Sequence, residues 1–135
     1  MTAGAVRRDS ATAEFFDGTA RDQFLLRRCA DCGTFAEPYL RYCPSCESDR
    51  LEWAAAAGGA TVVSWSVVHR RVRAGQPAQA SVVVIAALDE GPLWWAEVLD
   101  ADPARAAAEV AAGQRLAITF EHVPEYEAVP AFRLA

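Results

Sequence analysis

Four cysteines stand in two Cys-x-x-Cys pairs, Cys29 with Cys32 and Cys43 with Cys46, and ten residues separate the pairs. A two-residue spacer lets both sulfurs of a pair face one ion, and four thiolates complete a tetrahedral shell, which points to one structural Zn2+ in a small ribbon. A rubredoxin-type iron centre and a metal-free dithiol or disulfide are the alternatives the same residues leave open. With four protein ligands a zinc ion keeps no open position, so such a centre folds the ribbon and catalyses nothing. Gly33 suits the positive φ that a knuckle turn needs after the first pair, and Pro44 stiffens the second.

A second concentration of chemistry is the run His69, Arg70, Arg71, Val72, Arg73. Arginine offers a planar fork matched to phosphate oxygens, so the run could cradle the phosphates of a nucleotide-bearing cofactor; the plain alternative is a solvated loop or ion pairs to a partner. Trp65, Trp94 and Trp95 fall on strand-like segments, where one of two adjacent tryptophans must point away from the core. Such an outward ring, like Phe15 and Phe16 near the N-terminus, reads as core or protein interface before it reads as a cofactor contact. His69 and His122 are far apart, and no serine or spare cysteine stands as an obvious nucleophile. No Gly-rich phosphate loop or His-Glu metal motif occurs. The sequence offers no independent active site.

The elements that must position these residues follow from composition and patterning. A chain of 135 residues, 53% hydrophobic, can bury one respectable core but not two full domains. Its 13 basic and 18 acidic residues give a net charge of −5, which makes nucleic acid a poor default partner. Neither a signal peptide nor an apolar run of membrane-spanning length is evident, and the paired thiols suit a reducing cytoplasm.

Phe15, Phe16, Ala20 and Phe24 recur at helical spacing behind Ser10 as a cap, predicting a short helix over Ser10 to Gln23. Strand signals cover Phe24 to Arg28, Leu51 to Val72 as one long bent strand, Ser81 to Leu88, Leu93 to Leu99, Arg115 to His122 and Ala131 to Leu134. In the long strand Val63, Trp65, Val67 and His69 share one face. Asp102, Pro103 and Gly113 spell out the ends of an Ala-rich helix. The expected fold is therefore mainly β: residues 1–26 an N-terminal helix and lead-in, 27–50 a zinc ribbon, and 51–135 a five-stranded OB-fold barrel with one helix between its third and fourth strands.

Several of these stretches together resemble a known family. Phe-Phe-Asp-Gly at 15–18, Leu-Leu-Arg-Arg-Cys-Ala-Asp-Cys-Gly at 25–33, Tyr-Cys-Pro-Ser-Cys at 42–46, Thr-Val-Val-Ser-Trp-Ser-Val-Val-His at 61–69 and Pro-Ala-Phe-Arg at 130–133 are similar to the bacterial and archaeal zinc-ribbon OB-fold proteins known as DUF35. The resemblance covers nearly the whole chain. It implies an N-terminal helix, a rubredoxin-like zinc ribbon and a C-terminal OB fold, in a small subunit that accompanies a thiolase-fold enzyme of the lipid-transfer-protein type and helps to bind or channel an acyl-CoA while the partner makes or breaks a carbon–carbon bond. Carried over, Cys29, Cys32, Cys43 and Cys46 match the ribbon ligands. Trp65 and His69 match the strand nearest the expected CoA region, with Arg70, Arg71 and Arg73 in the adjoining loop. The expected function is thus an accessory subunit, non-catalytic alone; a nucleic-acid-binding module and a purely structural scaffold are the competing classes.

Overall fold

The computed structural model describes residues 5–71 and 73–135. Helix α1 is Ala13–Thr19, and the strands are β1 Leu25–Cys29, β2 Phe35–Ala36, β3 Leu51–Ala55, β4 Gly59–Arg70, β5 Gln79–Leu88, β6 Leu93–Glu97, β7 Arg115–Glu121 and β8 Val129–Leu134. A 3-10 turn at Pro103–Arg105 leads into the four-residue helix α2, Ala106–Glu109. Two sheets result, one of three strands in the order β2-β1-β3 and one of five in the order β6-β5-β4-β7-β8. The mainly β fold, with its N-terminal helix, cysteine cluster and OB-like five-stranded half-barrel, is the one the sequence predicts.

Alternation makes the half-barrel. Along β5, Val82, Val84, Ala86 and Leu88 are buried while their neighbours are half-exposed. β4 departs from the expected parity. A bulge between Val62 and Ser64 leaves Val63 outside the register, 51% exposed, so the inward set becomes Ala60, Val62, Trp65 and Val67. Val63 and Trp65, expected on one face, are therefore on opposite ones. The sheet curls until its edges meet: Val98 and Phe132 form a parallel bridge, and the Leu99 N–H donates to the Phe132 carbonyl at 2.9 Å. Phe132 at this seam is 1% exposed.

Three further expectations are corrected. Leu51–Ala55 does not open the barrel: it pairs along β1 from Leu25↔Ala55 to Cys29↔Leu51, and residues 56–58 separate it from β4. Ser10 is not the cap of α1: the N-cap is Thr12, without a side-chain cap bond, and Asp9 Oδ1 accepts from the backbone N–H of Ala11 and Thr12 in the turn that leads into it. The Ala-rich helix ends early. Val110 turns extended and buries its side chain, and the Val62 backbone then captures the next segment through Gly113 N–H to Val62 O and Val62 N–H to Gln114 O. Gly113 holds a φ of 89° in that turn rather than as the helix terminator. The Asp102 cap itself is present, its Oδ1 accepting from the Ala104 N–H. Val72, the expected end of the long strand, lies outside the described residues.

Two cores share the molecule. The larger fills the half-barrel and takes in Phe15, Phe24 and Leu26; the smaller holds Cys29, Cys43 and Leu51 with Leu40 against them. Strand β1 runs through both, so the ribbon is pinned to the barrel at one end and to its own thiol cluster at the other.

Candidate functional site

The two cysteine pairs fold into matching knuckles. In the first, the Gly33 N–H donates to the Cys29 carbonyl at 2.9 Å and the Cys29 N–H to the Thr34 carbonyl at 2.9 Å. In the second, the Glu47 N–H donates to the Cys43 carbonyl at 2.9 Å and the Cys43 N–H to the Ser48 carbonyl at 2.8 Å. Each knuckle closes on a residue of positive φ, 77° at Gly33 and 64° at Glu47. Glycine at 33 announces this turn; Glu47 performs the same duty unannounced, because a side chain disfavours but does not forbid the left-handed region. Asp31 ties the knuckles together, accepting from Ser48 Oγ and, at 2.8 Å, from Arg50 Nη1.

This repeat brings four Sγ atoms within 4.8 Å of one another. Cys29 and Cys46 are 3.5 Å apart, as are Cys32 and Cys43, far longer than a disulfide bond, so the sulfurs are gathered rather than bonded. Tetrahedral zinc with Zn–S near 2.3 Å sets sulfur–sulfur edges of about 3.8 Å, close to these separations. Backbone N–H groups already point at the sulfurs, from Cys32 to Cys29 Sγ at 3.5 Å and from Ser45 to Cys43 Sγ at 3.4 Å, as thiolates require. The Thr34 hydroxyl and backbone, with the neighbouring thiols, bring Cys32 down to about 6. For Cys46 the Ser48 backbone N–H favours the thiolate, but the crowd of Cys29, Cys32 and Cys43 outweighs it and pushes the thiol up to about 12. Four thiolates this close need a cation among them, and the set fits a structural metal ion.

The expected cofactor residues are less unified. Trp65 is half-buried against the barrel core, whereas His69, Arg70 and Arg71 are exposed at the end of β4 and Arg73 in the turn beyond it. Pairing of β4 with β7 stops at Thr61, while β4 and β5 stay paired to Arg70↔Gln79. The β4–β5 hairpin therefore projects past β6 and β7 at its His69–Arg70 end. Arg70 has company that sequence reasoning missed: its charge acts on Glu97 of β6. Burial, then the nearby Glu121 charge, raises the Glu97 carboxyl, and Arg70 partly offsets them. Nothing in the one-dimensional pattern brings residues 70, 97 and 121 together; the curl of the sheet does.

The aromatic residues divide as alternation demands. Trp94 packs edge-on to Phe24 at 4.7 Å between ring centres and lies 5.7 Å from Phe15, whereas Trp95 is 71% exposed. Phe15, 7% exposed, is a core residue and offers no interface; Phe16 is half-buried. Exposed beside the ribbon are Tyr39 and Tyr42. His122 Nε2 lies 2.6 Å from Asp22 Oδ1 on the surface, joining the segment after α1 to the end of β7 with no nucleophile in attendance.

Among the described residues no helix is long and apolar enough to cross a membrane. No curated protein matches the chain in sequence. A solved structure described as the Ltp2-ChsH2(DUF35) aldolase is similar at a TM-score of 0.76 and 24% identity, covering 98% of this chain and 98% of that one. A DUF35-family protein of unknown function from Sulfolobus solfataricus is similar at a TM-score of 0.60 and 19% identity, covering 93% of this chain and 86% of that one. Both likenesses extend through ribbon and barrel alike. The family model for the C-terminal OB-fold domain of ChsH2 matches residues 53–121, more than half of the chain, and with the same architecture found throughout, the chain belongs to the DUF35 family.

Proposed function

We propose that this chain is an accessory subunit, non-catalytic alone, that binds a thiolase-fold partner of the lipid-transfer-protein type and assists acyl-CoA binding or channelling in carbon–carbon bond cleavage or formation. The observation that carries the reading is the end-to-end likeness to a chain of the Ltp2-ChsH2(DUF35) aldolase, which includes ribbon and barrel together. Trp95 and Leu93 on the outer face of β6, and Tyr39 and Tyr42 beside the ribbon, offer exposed apolar anchors for that partner. The ribbon's occupant in this reading is zinc, and the setting a reducing cytoplasm.

For the acyl-CoA, the reading uses the projecting end of β4: Trp65 beneath, His69 and Arg70 at the tip, Arg71 and Arg73 beyond. No Asp or Glu occurs between Glu52 and Asp89, so this hairpin is a cationic stretch in an acidic chain. A tagged chain drawn from native cell extract, with and without a medium-chain or steroid acyl-CoA, should bring down a thiolase-fold protein. Recovery of nucleic acid, or of no specific protein, overturns the proposal. Replacing Arg70, Arg71 and Arg73 together separates assistance from scaffolding: acyl-CoA affinity should fall while assembly persists, and unchanged affinity removes the arginines from the site.

A further inference from the structure

Between α1, the segment linking the knuckles, and the strands β3 and β6 lies a groove of about 640 Å³. The size is that of a small-molecule site, for which roughly 300–1,000 Å³ is usual. Its walls are largely apolar, with the flat rings of Phe16, Tyr39, Trp53 and Trp94 among them, and its charged residues are Arg27 and Arg41. Among the described residues no acidic one lines it, although acids outnumber bases in the chain 18 to 13.

Arg27 is the informative residue. Its guanidinium lies 4.3 Å above the Trp53 ring, held there by the cross-strand pairing of Arg27 with Trp53. Nη2 donates to the Leu51 carbonyl at 2.7 Å, and Nε is shut away from water without an acceptor. No carboxylate among the described residues reaches the guanidinium. A half-buried cation is ordinarily matched by a counter-charge, and the described residues supply none here, so the outward N–H groups of the guanidinium are left to an anion from outside. Arg41 on the rim adds a second, exposed positive charge.

From these features we infer that the groove binds a flat, apolar monoanion, such as an aryl or fused-ring carboxylate. The ring body lies between the aromatic walls and the carboxylate accepts from the remaining Arg27 N–H groups, with Arg41 contributing at the mouth. Flat walls select a flat body, and the stacked guanidinium presents its edge to a carboxylate in the forked geometry that arginine favours. This site is distinct from the arginines at the end of β4 and stands whether or not those bind acyl-CoA.

The test uses 2-naphthoate and its neutral counterpart 2-naphthalenemethanol, titrated calorimetrically into the full chain. Saturable binding of naphthoate at least about tenfold tighter than the alcohol is expected, since a charged carboxylate–guanidinium contact is worth on that order. Arg27→Met keeps the apolar stem on Trp53 and should cost naphthoate about that tenfold while leaving the alcohol unchanged. Should that variant fold poorly by circular dichroism, Arg41→Gln and amide shifts of Phe16, Trp53 and Trp94 on titration locate the ligand in its stead. Absence of saturable naphthoate binding, equal affinity for acid and alcohol, or shifts confined to residues outside the groove overturns the inference.

Discussion

Glu47 occupies a backbone conformation with φ 64° that its counterpart Gly33 adopts at 77° without a side chain to object. The asymmetry is testable. An alanine Cβ at position 33 would meet only Arg28 Nη2, at 3.7 Å, so Gly33→Ala isolates backbone strain and should cost about 1 kcal/mol in denaturant unfolding. Glu47→Gly should be neutral to slightly stabilising, because relief of strain offsets the added chain entropy. The thiols are less forgiving. Cys43 is 2% exposed and one of four clustered thiols that fit a metal ion, so Cys43→Ser should leave substoichiometric metal by atomic emission; unchanged metal content would remove the tetrad from the site.

At the scale of elements, the end of β5 and the start of β7 are held together by Asp89 and Arg115, whose two hydrogen bonds measure 2.6 and 2.9 Å. Arg115 also reaches Thr61 on β4 at 3.0 Å. Arg115 lowers the Asp89 carboxyl, chiefly by hydrogen bonding. A depressed carboxyl stabilises the fold above its unfolded value, near 3.9, and loses that contribution as pH falls through the lower folded value. The stability deficit of Arg115→Met relative to the parent should therefore be present at pH 7 and shrink in strong acid, as measured by urea unfolding at each pH. A deficit independent of pH would assign the arginine's effect to packing. Gly59 lies beneath the pair, and a Cβ there would push into the ends of both side chains, so Gly59→Ala should displace the same contact. At the opposite seam, Phe132→Ala removes a fully buried ring where β8 meets the strand-end at Val98, and should cost about 3–5 kcal/mol by thermal or denaturant unfolding.

For the whole molecule, the division into two cores predicts graded stability. Metal removal by a strong chelator should expose amides of residues 27–50 to hydrogen exchange while those of β5, at the centre of the larger core, stay protected. Loss of protection in both at once would show that ribbon and barrel unfold as one. The link between them is β1, with Leu26 fully buried in the barrel core and Cys29 in the ribbon, so the ribbon should loosen from its knuckles toward Leu26. Charge also acts at this scale: the chain's −5 is unevenly spread, with the β4–β5 hairpin cationic and the rest correspondingly more acidic. That unevenness suits approach to an anionic ligand at one end of the barrel.

What could be read from residues alone was whatever depends on short-range chemistry. The cysteine spacing carried the four-thiol cluster, a Val-rich run carried β5, alternation put one of Trp94 and Trp95 outward, and Asp102 with Pro103 carried a helical start. These signals are local, and each is complete within a few residues. Tertiary structure decided the rest. A bulge reverses the parity of a strand without a sequence signature, which is how Val63 came to face away from Trp65. Pairing partners are chosen by whichever edge is available, so Leu51–Ala55 joined the ribbon, and Val62 ended the alanine helix from another strand. The encounter of Arg27 with a groove of aromatic walls, and of Arg70 with Glu97, required the sheet to curl and the ribbon to dock, because those residues meet only through contacts distant in the chain.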